Sequence, residues 1–122
     1  MSGQTKQISL RVQDQHGKPH AVRLAIAEPN ESGTLSILTP TGGVSRKCEL
    51  TCLKKSKNAT RLDCQSNGAK ATLSLKRAKD PSELHISVRV FFMTFDAVYY
   101  LDRAQCQRLV SWIRRLSIGP IE

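Results

Sequence analysis

Upstream of Phe91 this 122-residue chain contains no aromatic residue; Phe91, Phe92, Phe95, Tyr99, Tyr100 and Trp112 all lie between Leu84 and Leu116. Aromatic side chains bury the most area per residue, so the core is expected to nucleate in that stretch. Aliphatic side chains must supply the rest.

Other absences narrow the function classes. There is no run of about 18 apolar residues, so no membrane-spanning helix is encoded. Met1 to Gln7 carries no apolar signal-peptide segment, and Met1 reads either as a native start or as a replacement for a cleaved signal. The chain has no glycine-rich phosphate loop, no nucleophile elbow and no two-histidine metal motif. His16, His20 and His85 have no carboxylate or nucleophile at a recognisable spacing and read as solvated surface groups. A triad assembled from distant residues would leave no such trace. The expectation is a protein without enzymatic activity, cofactor or metal.

Acidic residues are scarce. Ten Asp/Glu stand against 19 Lys/Arg, for a net charge of +9. The excess is local: residues 46 to 79 carry ten basic and two acidic residues, whereas residues 80 to 122 carry five of each. A block of one sign attracts acidic protein surfaces, nucleic acid or anionic lipid, and also keeps a protein soluble.

The four cysteines are too far apart for the usual zinc knuckles. Cys48 and Cys52 would be separated by about 13 Å of extended strand at about 3.3 Å per residue, whereas zinc–sulfur bonds are about 2.3 Å. The same distance forbids a bond between those two. Two redox readings remain: disulfides pairing Cys52 with Cys64 and Cys48 with Cys106, which is favoured, or four buried thiols packing as small apolar groups. Together with the sequons at Asn30 and Asn58, the favoured reading leans toward a secreted or periplasmic setting, with an intracellular one left open.

Along the chain, Ile8, Leu10 and Val12 alternate, a turn follows at Asp14 to Pro19, and Val22, Leu24 and Ile26 alternate again, which predicts a hairpin. Turns at Glu28 to Gly33 and Pro40 to Gly43 bracket a short strand around Leu35 and Ile37. Asn67-Gly68 is the strongest short hairpin signal; with those two residues as the loop, Cys64 faces Ala71 and Leu62 faces Leu73. The opposite face then collects Lys47, Arg61, Lys70 and Lys76. From Leu84 to Tyr100 the alternation switches phase at Phe91-Phe92. A strand of that length predicts a bulge or break near Thr94 to Asp96.

After Asp102, an N-cap with Gln105 three residues on, an amphipathic helix is predicted to end before Gly119-Pro120. Its apolar sector holds Cys106, Leu109, Val110, Trp112, Ile113 and Leu116, and its polar sector holds Arg103, Arg108, Arg114 and Arg115. The whole chain, 1–122, reads as one β-rich α+β domain. About seven mostly antiparallel strands form a curved sheet, sandwich or partly open barrel, with one C-terminal amphipathic helix packed on the sheet.

The functional expectation is a small basic protein-binding module of the inhibitor or immunity kind, secreted or periplasmic, that recognises an acidic partner. The binding residues are expected to be Lys54, Lys55, Lys57, Arg61, Lys70 and Lys76. The alternative is a sequence-independent nucleic-acid or polyanion binder. Because this segment has no aromatic stacking platform, nucleic acid is the weaker reading.

Overall fold

The computed structural model describes residues 5–27, 32–41, 43–66, 69–77, 81–116 and 119–120. The turn residues Glu28 to Glu31, Gly42 and Asn67-Gly68 lie outside the described residues, as does the sequon residue Asn30.

Period-two alternation builds most of the molecule. The strands are β1 (Thr5–Gln13), β2 (Pro19–Ala27), β3 (Ser32–Leu38), β4 (Val44–Lys55), β5 (Arg61–Ser66), β6 (Ala69–Lys76), β7 (Ser82–Val90) and β8 (Met93–Leu101). Helix α1 (Arg103–Arg114) and a two-residue β9 (Gly119–Pro120) follow. Each of the first seven strands pairs antiparallel with the next, and β9 lies parallel to β4. The expected count of seven is therefore low by two.

The extra strand within Leu84 to Tyr100 has a clear cause. The alternation changes phase because the chain reverses: Phe91 and Phe92 form a two-residue turn closed by the pair Val90↔Met93. No bulge near Thr94 to Asp96 is needed, since Leu84, Ile86 and Val88 face Tyr99, Ala97 and Phe95 across the hairpin in unbroken register. The Asn67-Gly68 expectation holds in its flanks, with Cys64↔Ala71 and Leu62↔Leu73 paired as predicted.

The meander curls until its two ends meet, but the circuit is not closed. β1 and β8 share one residue pair, Gln13↔Tyr100. Gln13 ends β1 and Tyr100 lies near the end of β8, so the rest of β1 runs past β8 and alongside α1. There the Arg11 N–H donates to Gln105 Oε1 at 3.1 Å, a side chain standing in for the missing strand. The result is a partly open barrel with the helix covering one side.

The helix forms for local reasons. Asp102 Oδ1 accepts the Gln105 N–H at 2.9 Å, satisfying one of the donors that a helix N-terminus leaves unpaired. Its apolar sector packs as expected: Cys106, Leu109, Val110, Trp112, Ile113 and Leu116 are all buried. They join the inward residues of the strands, among them Leu10, Val22, Leu24, Ile26, Leu62 and Leu84, in one core. At the helix C-terminus, Lys55 Nζ donates to the carbonyl oxygens of Leu116 (2.6 Å) and Arg114 (3.0 Å), and Lys6 Nζ to that of Arg115. Two cations thus answer the negative end of the helix dipole.

The expected disulfides are not formed. Cys48, Cys64 and Cys106 are free thiols, so neither Cys52–Cys64 nor Cys48–Cys106 is bonded. A register shift in β4 between Thr51 and Lys54 spoils the symmetric placement of Cys52 against Cys64: Thr51 faces Gln65, and Lys54 faces Asp63. The side chain of Cys52 itself lies outside the described residues.

Candidate functional site

In an up-and-down meander, the turns after odd strands gather at one end and those after even strands at the other. α1 lies beside β1, and its C-terminus sits at the end where β1 begins and β4 finishes, held by Lys6 and Lys55. The other end carries the β1–β2, β3–β4, β5–β6 and β7–β8 connections and is open.

Three features outside the core bear on function. The first is the basic outer face of β4–β6 together with the β4–β5 connection, where Lys54, Lys57, Arg61, Lys70 and Lys76 are all exposed. Two of the six expected binding residues are engaged elsewhere. Lys55 is half-buried and holds the helix C-terminus, a long-range role that sequence spacing does not reveal. Arg61 Nε pairs with Asp63 Oδ1 at 2.9 Å. Lys54, Lys57, Lys70 and Lys76 remain as cations turned to solvent. Lys70 lies directly opposite Arg89 on β7.

The second feature is the open end. A cavity of about 480 Å³ is lined by side chains from four strands: Leu35 and Ile37 of β3, Cys48 of β4, Ile86, Val88 and Val90 of β7, and Phe95 and Ala97 of β8. Lys47, Thr94 and Asp96 supply its polar margin. Among the described residues the exposed large apolar side chains are Val44, Phe91, Phe92, Met93 and Phe95, all at this end.

The third feature is a histidine–carboxylate pair that corrects the solvated-surface expectation. His20 Nε2 donates to Asp14 Oδ2 at 2.9 Å, and the His20 ring packs edge-on to Tyr99 with centroids 5.7 Å apart. Asp14 Oδ1 also accepts the N–H groups of His16 (2.8 Å) and Lys18 (2.9 Å). The hydrogen bond from His20 and these backbone donors hold the Asp14 carboxyl at a pKa of about 2, well below its usual range. His85 is likewise 3.0 Å from Glu83 Oε1. These contacts fix turn and strand geometry; Asp14, four residues before Lys18, staples the β1–β2 turn. Tyr99 is buried beneath His20.

Cys48 and Cys64 are poor nucleophiles. Burial pushes Cys64 up to about 12, helped by the nearby Asp63 and Cys48, and burial with Glu49 raises Cys48 as well. Among the described residues no three His, Cys, Asp or Glu side chains cluster as a metal site, and no helix is long and apolar enough to cross a membrane. No protein-family model matches this chain, and no curated protein or solved structure matches it either.

Proposed function

We propose that this chain is a non-enzymatic binding module, of the inhibitor or immunity kind, that recognises an acidic protein surface through the outer face of β4–β6. The observation that supports it is the exposure of Lys54, Lys70 and Lys76 along β4–β6 and of Lys57 in the connection between β4 and β5, within a segment of net charge +8. Exposed cations of this kind contribute little to stability and much to the rate of encounter with an opposite charge. A secreted or periplasmic setting stays part of the proposal through the sequons, and the unbonded thiols lend it no support.

The test is charge reversal at Lys54, Lys57 and Lys76, leaving Lys55 intact. The partner captured by the wild type is identified, and its association rate with both proteins is measured over a range of ionic strength. A slower rate for the reversed variant, with the melting temperature unchanged, supports the proposal. Equal rates overturn it, and loss of a bound nucleic acid instead favours a polyanion binder.

A further inference from the structure

The turn between β7 and β8 combines two features that the monomer does not use. Phe91 has φ of 53° at the first central position of a two-residue hairpin loop, a place ordinarily given to glycine. A side chain there is tolerated against a steric cost, yet Phe91 is 78 % exposed and Phe92 fully so (101 %), so neither repays it by burial. Met93 and Phe95, the next same-face residues of β8, extend the apolar surface from the tip to the cavity, which Phe95 lines. Apolar surface gathered at one end in this way marks an interaction site.

The surrounding charge selects the occupant. Directly behind the tip, Lys70 and Arg89 are cross-strand neighbours, both exposed, an arrangement that is repulsive until an anion lies between or above them. Their row continues to Thr94, and the acidic Asp96 stands one row further from the tip, opposite Ser87. A second copy of this chain would set the same cations against each other at a net charge of +9 apiece. An anionic bilayer satisfies both features. Arg89 precedes Phe91 by two residues, about 7 Å along the strand, which matches the depth of about 5–10 Å to which apolar groups enter the headgroup boundary.

We propose that the β7–β8 tip inserts Phe91 and Phe92 into the interface of an anionic membrane, with Arg89 and Lys70 at the level of the phosphates. The open end of the barrel then faces the bilayer, and the helix end faces water. This surface shares Lys70 with the protein-binding face, but Phe91, Phe92 and Arg89 lie outside that face, so the Phe92 variants test it independently of the protein-binding reading.

The test is co-sedimentation of the full chain with vesicles of phosphatidylcholine alone and of phosphatidylcholine mixed with phosphatidylglycerol. Binding is expected only to the second. Phe92→Ser is expected to weaken it about tenfold or more, from the area withdrawn. The double variant Lys70→Gln/Arg89→Gln is expected to weaken it about tenfold and to flatten its salt dependence. In Phe92→Trp, a reporter is placed at the tip; its emission should shift to the blue with the anionic vesicles and stay unshifted with the neutral ones. Thermal melting confirms that each variant is folded.

Absence of binding to anionic vesicles at low ionic strength overturns the proposal. So does binding that is indifferent to Phe92→Ser, which would be adsorption by charge alone. A concentration-dependent dimer abolished by Phe92→Ser, without vesicle binding, would assign the tip to a second copy. Uptake of a monomeric fatty-acid probe in place of vesicle binding would assign the open end to a soluble ligand.

Discussion

The ammonium of Lys55, at the end of β4, lies 2.6 Å from the carbonyl oxygen of Leu116, at the far end of the chain's only α-helix among the described residues. It also reaches the Arg114 carbonyl, so one side chain from the basic segment closes the helix against the barrel. Lys55→Met keeps the stem and removes the donors. It should cost about 1–2 kcal/mol in urea denaturation, whereas Lys54→Met, exposed one residue earlier, should cost almost nothing.

Asp14 gives the fold an acid sensitivity of definite sign. Its carboxyl is held at about 2 in the folded protein, against 3.8 ordinarily. The stabilisation it supplies is fully present above the ordinary value and is lost as pH falls through about 2. The wild type should therefore lose melting temperature more steeply than Asp14→Asn between those two values. Scanning calorimetry at a series of pH values checks this; parallel slopes would remove Asp14 from the account.

Phe91 predicts a gain of stability by substitution. Phe91→Gly relieves the positive φ at an exposed turn and gives up little buried area. The barrel should become more stable by about 1 kcal/mol, net of the added freedom of glycine in the unfolded chain. Urea titration is sufficient to see it. A loss of stability would mean that the phenyl ring packs on something in solution.

The thiols should be reduced and unequal. Cys48 is half-buried, and Cys64 and Cys106 are buried with no disulfide among the three. Alkylation of the native protein without reductant should modify Cys48 first, and Cys64 and Cys106 only in denaturant. Intact mass before and after unfolding counts the additions, and peptide mapping locates them. Three of these thiols resisting alkylation in denaturant until reduced would restore the disulfide pairs.

What the sequence made legible was whatever is encoded within a hairpin or a helix. The Asn67-Gly68 signal predicted the register that places Cys64 beside Ala71, and the 100° spacing of Cys106, Leu109 and Ile113 identified the buried side of α1. What escaped was encoded at a distance or by unfavourable chemistry. A turn made of Phe91-Phe92 carries no glycine, proline or asparagine, so the pattern reads as one long strand with a fault in it. Lys55 is indistinguishable from Lys54 and Lys57 until the helix comes back to meet it. The pairing of His20 with Asp14 spans a turn whose geometry must exist before the six-residue separation becomes a 2.9 Å contact.

The single pair joining Gln13 to Tyr100 also bears on the order in which the molecule comes apart. Every other strand pairing among the first eight strands joins neighbours in sequence, and each such hairpin closes a short loop at little entropic cost. The seam alone must bring β1 to the far end of the meander. Once Gln105 releases Arg11 and α1 lifts away, one residue pair is the only strand pairing left between β1 and β8. Amide exchange should then show Arg11 and Gln13 exposed together with α1, at lower free energy than the β6–β7 amides. The barrel unrolls before it melts.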